Sequence, residues 1–301
     1  MWRFAQISDP HLASSRDGVW NNRFLCSMMP EVMACLREDL EKERPEFLLV
    51  TGDLCSRPDR EAVYEARDML DALGVPYYPS GGNHDFHGKE SRAWFLDAYR
   101  HRLPAADTVY AFAWHGARFC VLDPWWRWPD GSLMPVSPDH TMEHMEDDLD
   151  GLSWGIPPEQ FSWLESVLRS CPKDPVFVIS HYPAIPIPDR LRAPWLQDGG
   201  CLDNGDLLVD LLSAHPNALG VISGHVHLHF IERAGEIWQI TTGALPEYPV
   251  EYRIFEVWEN RVEVFTRGLS DSRFAARSLM PGRDQTRGME SDRHAVIPFR
   301  W

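Results

Sequence analysis

Aspartate, asparagine and histidine recur along this chain in five short blocks that together could bind metal ions. The blocks are Asp9-Pro10-His11, Gly52-Asp53, Gly82-Asn83-His84-Asp85, His181, and Gly224-His225-Val226-His227. Carboxylate, amide and imidazole groups without thiolates suit hard or borderline divalent cations such as Mn, Fe or Zn. One such dipeptide occurs often by chance, whereas five blocks in this order are difficult to obtain by accident. We therefore expect a site for two divalent metal ions.

Each block follows directly after an apolar run typical of a buried β-strand. The runs are residues 3–8, 46–51, 75–80, 175–180 and 218–223. Helical patterns alternate with them, within residues 22–43, from Pro58 to Gly74, and over 89–102, 159–170 and 206–215. After His227 the pattern changes to two hairpins, with turns at Ala234-Gly235 and Glu259-Asn260. This alternation predicts an α/β layered fold with the candidate ligands at strand ends.

The spacing within the first and last blocks indicates how one strand end can supply two ligands. Asp9 and His11 are two residues apart, and so are His225 and His227. On an extended segment, side chains two residues apart point to the same side. We therefore expect each pair to face the same site.

Composition and charge narrow the class of protein. The chain has 301 residues, 44% of them hydrophobic and 25% charged, which is typical of a globular domain with a full core. The net charge of −16 weighs against a nucleic-acid polymer as partner, although two divalent ions would still attract a small anionic substrate. The apolar runs are far shorter than the ~20 residues that cross a membrane. Because the first predicted strand begins by residue 3, we expect no signal peptide and a cytoplasmic protein.

In chain order the blocks read D-x-H, G-D, G-N-H-D, H and G-H-x-H, and this set resembles the calcineurin-like metallophosphoesterase superfamily. The resemblance covers about residues 3–245 and is nearest to the branch of class III cyclic-nucleotide and glycerophosphodiester phosphodiesterases. It implies a four-layer α/β/β/α sandwich, in which two mixed sheets are flanked by helices and a dinuclear metal site lies at the strand ends. After Asp53 the chain departs from the G-D-x-x-D-x-G pattern of many relatives, since it reads GDLCSRPD.

The resemblance also implies a role for each candidate site residue. Asp9, His11 and His227 would bind one divalent ion, Asn83, His181 and His225 would bind the other, and the Asp53 carboxylate would bridge the two. A hydroxide held between the ions would attack phosphorus. His84 would act near the leaving-group oxygen as a general acid or charge stabiliser, positioned by Asp85.

These roles predict a metal-dependent phosphoric ester hydrolase. We favour a phosphodiesterase acting on a small phosphodiester, such as a cyclic nucleotide or a glycerophosphodiester. Two alternatives stay open: an enzyme for phosphomonoesters or nucleoside diphosphate compounds, and a non-catalytic member that serves as a scaffold for protein binding. The complete set of ligands together with His84 argues against the scaffold.

A long segment, residues 124–158, connects a predicted strand to the fourth helix and contains the cluster Trp125-Trp126-Arg127-Trp128. We predict that this segment forms a wall or lid of the active site, because such a long connection in a compact domain is usually functional or mobile. The cluster would either bind a flat or cationic group of the substrate or pack the loop onto the body. The acidic run from Glu143 to Asp150 would bind a cation or remain solvated.

Two further histidines lie next to the blocks. His87 is close to Asn83 and His84, and it would either contact substrate or be an ordinary loop residue. His229 continues the last block, and we assign it to a strand rather than to the metal site.

The C-terminal segment differs from the rest of the chain in charge. We divide the chain into a metallophosphoesterase domain, residues 1–267, and a basic tail, residues 268–301, with arginines at positions 273, 277, 283, 287, 293 and 300. Because the body is acidic, the tail would dock onto it or onto a second subunit, which would form a homodimer. A solvated tail is the alternative.

Overall fold

The computed structural model describes residues 1–57, 59–138 and 152–300 of the chain. Its strands are Trp2–Ile7 (β1), Gly18–Val19 (β2), Arg23–Phe24 (β3), Leu48–Thr51 (β4), Tyr77–Ser80 (β5), Tyr110–Trp114 (β6), Ala117–Val121 (β7), Trp125–Arg127 (β8), Leu133–Met134 (β9), Trp154–Gly155 (β10), Val176–Ile179 (β11), Ala218–Ser223 (β12), Phe230–Ala234 (β13), Ile237–Thr241 (β14), Glu251–Val257 (β15), Arg261–Gly268 (β16) and His294–Pro298 (β17). Its α-helices are Met29–Glu43 (α1), Arg60–Asp71 (α2), Ser91–Ala98 (α3), Pro158–Ser170 (α4), Gly205–Ser213 (α5) and Arg273–Ser278 (α6).

Two six-stranded mixed sheets form the centre of the fold. The first has the order β17-β16-β15-β1-β4-β5, and β1, β4 and β5 are parallel neighbours. The second has the order β13-β14-β12-β11-β7-β6, with β7, β11, β12 and β14 parallel. Leu36 of α1 and Ala66 of α2 pack in the core that includes the first sheet, whereas Leu164 of α4 and Leu208 of α5 pack on the second. The predicted four-layer α/β/β/α architecture is therefore confirmed.

Aromatic side chains join the two sheets. Phe4 of β1 stacks on Phe255 of β15 within the first sheet, with ring centroids 4.4 Å apart. Phe4 also contacts Phe119 of β7 and Phe177 of β11 in the second sheet, at 5.2 and 5.5 Å. All four rings are buried. Strand alternation thus turns one apolar face of each sheet toward the other.

The helices begin and end close to the predicted positions. α2 begins after Asp59, whose carboxylate caps it by accepting the backbone N–H of Ala62 at 2.8 Å. Pro58, which we predicted in the first turn, lies outside the described residues. The third helix is shorter than predicted, because residues 99–102 form turns. None of the described helices is both long and apolar enough to span a membrane.

The parallel strands bring the five sequence blocks to one edge of the sandwich. β1, β4, β5, β11 and β12 end shortly before Asp9, Asp53, Asn83, His181 and His225, respectively. In parallel sheets the carboxyl ends of the strands lie at the same edge, where ligands usually bind. Beneath this edge Gln6 links the sheets, because its amide nitrogen donates to Thr51 Oγ1 at 2.9 Å and to the Ser223 carbonyl oxygen at 3.1 Å.

The described parts of the long segment, residues 124–138 and 152–158, contain regular structure. They contribute β8, β9 and β10, which form a small antiparallel sheet. Trp126 of β8 pairs with Trp154 of β10, and both side chains are buried, which packs the segment onto the body. Residues 139–151, with the acidic run from Glu143 to Asp150, lie outside the described residues.

Residues 268–300 dock onto the body, which was one of the alternatives for the basic tail. β17 pairs with β16 in antiparallel orientation and completes the first sheet. Arg300 donates to the carbonyl oxygens of Leu212 and Ala218, at 3.2 and 2.9 Å, near the end of α5. Arg293 forms an ion pair with Glu251 of β15 at 2.7 Å. Arg293 and Arg300 of this segment therefore bind partners in the body, whereas Arg273 and Arg287 pair with Asp271 and Glu290 of the segment itself.

A buried arginine attaches this segment to the first sheet. The guanidinium group of Arg253 on β15 is fully buried, and it donates to Thr266 Oγ1 at 2.8 Å and to the carbonyl oxygens of Asp292 and Thr241 at 2.9 Å. Burial lowers the pKa of Arg253 to about 9, so the group still carries its proton at pH 7. A charged donor surrounded by oxygen acceptors holds β15, β16 and the C-terminal segment together.

Replacing Arg253 with leucine should therefore destabilise the protein strongly. Each buried acceptor that loses its donor costs about 1–3 kcal/mol. We expect the free energy of unfolding in urea to fall by roughly 3 kcal/mol or more. Arg37→Leu is the matched control, because Arg37 is exposed on α1. A loss for Arg253→Leu no larger than that of the control would contradict this account.

Candidate metal centre

The structure brings the seven predicted ligands together in two adjacent groups. Ligand atoms of Asp9, His11, Asp53 and His227 lie within 4.8 Å of one another, and so do those of Asp53, His181 and His225. Asn83 lies beside the second group, since its Oδ1 is 3.2 Å from Nε2 of His181. Asp53 belongs to both groups, which is the position that a bridging carboxylate requires.

The chemistry of these groups fits divalent cations. All seven side chains are buried, and they offer imidazole nitrogens, carboxylate oxygens and an amide oxygen without a thiolate. Nε2 of His11 is 3.5 Å from Nε2 of His227, and Nε2 of His181 is 3.4 Å from Oδ2 of Asp53. Donor atoms gathered this closely in a buried place are typical of a site where a cation offsets their mutual repulsion.

The backbone at these ligands is not extended, which corrects our expectation from the two-residue spacing. Five ligands have left-handed φ values: Asp9 at 47°, His11 at 43°, Asp53 at 49°, His225 at 68° and His227 at 51°. The side chains therefore converge through turns that follow the strands, and not through the pleat of a strand. Residues other than glycine rarely adopt this conformation, and such strain collects at functional sites.

Two glycines allow these turns to approach each other. Gly52 has a φ of +90°, and a Cβ atom there would lie 2.0 Å from Nδ1 of His181. A Cβ atom at Gly224 would lie 1.8 Å from Oγ of Ser8 and 2.3 Å from Oδ2 of Asp9. Any side chain at either position would displace a ligand, so only glycine fits.

Hydrogen bonds on one ring nitrogen orient two of the histidines. Nδ1 of His181 lies 2.8 Å from the carbonyl oxygen of Thr51. Nε2 of His225 lies 2.6 Å from the carbonyl oxygen of Gly199. A carbonyl oxygen can only accept, so each of these nitrogens carries a proton, and in the neutral ring the opposite nitrogen can bind a metal.

Glu247 orients His227 in the same way and was not among the residues that we predicted. Its Oε2 lies 2.9 Å from Nδ1 of His227, and its other carboxylate oxygen accepts the backbone N–H of Asn22. The side chain is fully buried, and burial raises the pKa of its carboxyl group although His227 opposes the shift. A single acidic residue between apolar neighbours is a weak sequence signal, because no fixed spacing connects it to the last block.

The histidines fall into two electrostatic types. Burial lowers the pKa of both His11 and His225 to about 3, so these rings are neutral at pH 7. Burial also acts to lower the pKa of His181 and His227, but neighbouring carboxylates outweigh this effect. They raise the pKa of His181 to about 9 and that of His227 to about 10. In the protein without metal, two imidazolium groups therefore balance the buried carboxylates.

His84 lies at the edge of the two groups. Its ring is perpendicular to that of His11, with centroids 4.7 Å apart, and its Nδ1 is 3.4 Å from the carbonyl oxygen of Ser56. Its backbone N–H donates to Oδ1 of Asp53 at 2.9 Å. The ring is half-buried, which leaves it able to contact a bound molecule.

Asp85 holds backbone groups rather than His84, which corrects our prediction that it positions that ring. Its carboxylate accepts the backbone N–H groups of Gly82 and Leu54, at 2.9 and 3.0 Å, and that of Cys55 at 3.2 Å. These bonds connect the loops that carry Asn83 and Asp53.

A cavity of about 210 Å³ gives access to the two groups. The site residues that line it are His11, Asp53, Asn83, His84, His225 and His227, and the rest of the lining comes from Ser56 and from residues between 16 and 26. No described residue of the segment 124–158 lines this cavity. The described residues of this segment therefore do not form the wall that we predicted. Residues 139–151 are outside the described residues, and a lid formed by them stays a prediction.

Two tryptophans of that segment, Trp126 and Trp154, pack against residues of the site outside the cavity. Trp154 stacks on Tyr182 at 4.5 Å and its ring meets that of His225 edge-on at 4.9 Å. The indole N–H of Trp126 donates to the carbonyl oxygen of Phe86 at 2.8 Å, in the loop that carries Asn83 and His84. For Trp126 the packing alternative is therefore correct.

Neither neighbouring histidine lines the cavity. His87 is buried, with its ring 5.6 Å from that of Trp126, as expected for the loop alternative. His229 is fully buried immediately before β13 rather than within a strand, and its backbone N–H donates to the carbonyl oxygen of Thr286 at 2.9 Å.

Glu247→Gln should weaken metal binding without unfolding the protein. The amide lacks the charge that increases the basicity of His227, and it replaces one acceptor with a donor. Loss of such an orienting partner typically costs about 10–100-fold in metal affinity. The dissociation constant for Mn, measured by competition with a chelator, tests this. Glu236→Gln is the control, because Glu236 is exposed in a distant hairpin, and equal affinities for the two variants would contradict the role of Glu247.

Metal binding should also release protons. At pH 7, below both pKa values, His181 and His227 are charged, and each must lose a proton before it binds a metal. We expect the release of about two protons or more per protein at pH 7, and a smaller release as the pH rises through 9 to 10. Calorimetric titration in buffers with different ionisation enthalpies measures this number. Release of less than one proton at pH 7 would contradict the assignment.

Comparison with known proteins agrees with this geometry. The family model described as "Calcineurin-like phosphoesterase" matches residues 3–229. A protein of Synechococcus sp. strain WH7803 named "Probable cyclic nucleotide phosphodiesterase" is 29% identical over 243 residues, which is 76% of each chain. The glycerophosphodiester phosphodiesterase of Enterobacter lignolyticus is 26% identical over 230 residues, 74% of this chain and 70% of that one. The fold of a dimetal phosphatase from Danio rerio matches with a TM-score of 0.70 over 99% of both chains at 20% identity. This chain belongs to the calcineurin-like phosphoesterase family.

Proposed function

We propose that this metal-dependent phosphoesterase is a phosphodiesterase that hydrolyses a small phosphodiester. The observation that carries the proposal is the pair of buried ligand groups that share Asp53 beside a cavity. Asp9, His11, Asp53 and His227 would hold one divalent cation, and Asp53, Asn83, His181 and His225 the other. When bound, two such cations lower the pKa of water and neutralise charge on a phosphoryl group.

The protein side chains orient the reaction. Asp53 is fixed by the N–H of His84, and its other oxygen lies between the Nε2 atoms of His181 and His11, at 3.4 and 3.8 Å. His84 lines the cavity beside His11. In its protonated form, its ring can donate one N–H to the Ser56 carbonyl oxygen and the other to the oxygen of the departing alcohol.

The names of two relatives favour a diester over a monoester. The cavity continues beyond the ligand groups along residues 16–26, which leaves space for an organic group on the phosphorus of either kind of ester. The relatives from Synechococcus and Enterobacter are named as phosphodiesterases, one for cyclic nucleotides and one for glycerophosphodiesters. Cyclic nucleotides and glycerophosphodiesters are therefore the first substrates to assay.

Hydrolysis of two artificial esters tests the proposal. The protein loaded with Mn should hydrolyse bis-p-nitrophenyl phosphate with a higher kcat/KM than p-nitrophenyl phosphate. A preference for the monoester would instead favour a phosphomonoesterase. Activity on neither compound would favour a non-catalytic member of the family.

Two substitutions should separate catalysis from metal binding. His84→Ala should lower kcat by roughly 10²-fold or more with metal content near that of the wild type, because the ring acts on the leaving group. Asp53→Asn should lose metal and activity together, because its carboxylate belongs to both ligand groups. Measuring the metal content and the kcat of both variants tests this prediction. Full activity without His84, or two ions bound to an inactive Asp53→Asn protein, would contradict these roles.

A further inference from the structure

A hairpin that none of the assigned roles uses forms one wall of the cavity. β2 and β3 pair in antiparallel orientation, and the lining residues include Arg16, Val19, Trp20 and Phe24. We call residues 16–24 the wall hairpin. It lines the same cavity as His11, Asp53, Asn83, His225 and His227.

Two aromatic side chains of the wall hairpin lie directly against the ligand groups. The ring of Phe24 is 5.1 Å from that of His11 and 5.2 Å from that of His227. The ring of Trp20 is 6.3 Å from that of His227. A molecule whose phosphoryl group reaches these histidines can therefore place its organic group beside Trp20 and Phe24.

The indole N–H of Trp20 has no hydrogen-bond partner among the described residues, and its nitrogen is inaccessible to solvent. Buried polar groups in native proteins almost always have a partner. Because water does not reach this nitrogen, Trp20 contributes to the cavity through its ring and not through its N–H. The ring also offers a flat surface for stacking, which for a nucleobase contributes about 1–3 kcal/mol.

Two charged side chains of the wall hairpin, Arg16 and Asp17, also line the cavity. Arg16 is the one arginine or lysine among the lining residues, and among the described residues no carboxylate forms an ion pair with it. The carboxylate of the neighbouring Asp17 accepts hydrogen bonds from the backbone N–H and the hydroxyl of Ser27, at 2.8 and 3.0 Å. In a protein with a net charge of −16, Arg16 is the positively charged arginine that the cavity offers to an anion, while Asp17 beside it keeps its negative charge.

The wall hairpin is held firmly in place. Asn21 and Asn22 are fully buried between β2 and β3. Asn21 Oδ1 accepts the backbone N–H of Gln197 at 2.7 Å, and Asn22 Oδ1 accepts that of Met280 at 2.8 Å. The side-chain nitrogen of Asn22 donates to the Arg283 carbonyl oxygen at 3.0 Å. A wall fixed in this way loses little entropy when it binds a ligand.

We propose that the wall hairpin determines substrate specificity and selects a phosphodiester whose alcohol carries a flat aromatic ring, such as a nucleobase, over one with a glycerol-type alcohol. Trp20 and Phe24 bind the ring, and Arg16 attracts the anionic substrate without distinguishing its alcohol. This inference rests on the proposed phosphodiesterase activity and adds the residues that choose among its substrates.

Paired substrates test the inference. The wild type should have a higher kcat/KM for adenosine 3′,5′-cyclic monophosphate than for glycerophosphoethanolamine. Trp20→Ala should lower kcat/KM for the cyclic nucleotide by about tenfold or more, mainly through KM, and change that for the glycerol compound by less than about threefold. Trp20→Phe, which keeps an aromatic face, should retain most of the preference. Arg16→Gln should raise KM for both substrates by a similar factor.

Trp258→Ala is the matched control. Trp258 is also half-buried, and its indole N–H likewise has no hydrogen-bond partner among the described residues, but it follows β15 at the sheet edge opposite to the ligands. The control should keep the wild-type ratio of the two kcat/KM values. An unchanged ratio in Trp20→Ala, or an equal change in both tryptophan variants, would overturn the inference.

A binding measurement separates this inference from the proposed function. Calorimetry should show that AMP binds the Mn-loaded wild type more tightly than glycerol 3-phosphate does, and that Trp20→Ala abolishes the difference. If neither diester nor the artificial ester were hydrolysed, the proposed function would fail, and this titration would decide the inference alone. Equal binding of AMP by the wild type and Trp20→Ala would overturn it.

Discussion

The structure depends on keeping two carboxylates, Asp9 and Asp53, ionised although both side chains are buried. Burial raises the pKa of each group, but the surrounding histidines more than compensate, so the pKa of Asp9 is lowered and that of Asp53 is lowered well below its usual range. Buried anions persist only beside positive charge. His181 and His227 supply it in the protein without metal, and the same geometry makes the pocket a receptor for divalent cations.

The surrounding fold holds these carboxylates and histidines in position. Parallel strands from two sheets deliver the ligands to one edge, and turns with left-handed residues aim them inward. Oγ of Ser8 donates to Oδ2 of Asp9 at 2.5 Å, and the backbone N–H of His225 donates to the same oxygen at 3.0 Å. The C-terminal segment also helps to hold these groups. The backbone N–H of Met280 donates to Oδ1 of Asn22, and the backbone N–H of Asn22 donates to the carboxylate of Glu247. The predicted metal ligands, the cavity wall and the C-terminal segment therefore form one connected structure.

The sequence predicted those parts of the site that are encoded locally. The ligand blocks were recognisable because each combines ligand residues with an apolar strand, and the strand order then decides that they meet. The two-residue spacing was ambiguous, since side chains two apart converge both along a strand and in a left-handed turn. Glu247 and the wall hairpin were missed because only tertiary contacts bring them to the ligands. The tryptophan cluster left two alternatives open for the same reason, because an aromatic side chain can either pack against the body or line a site, and Trp126 packs.

The location of bound metal tests the central claim most directly. A crystal structure of the protein grown with Mn, with data collected at an energy where Mn scatters anomalously, would show each ion as a separate peak. We predict two peaks with the Asp53 carboxylate between them, and ligand distances of about 2.0–2.5 Å to the seven side chains. A single peak bound without Asp53, or peaks away from both ligand groups, would contradict the account.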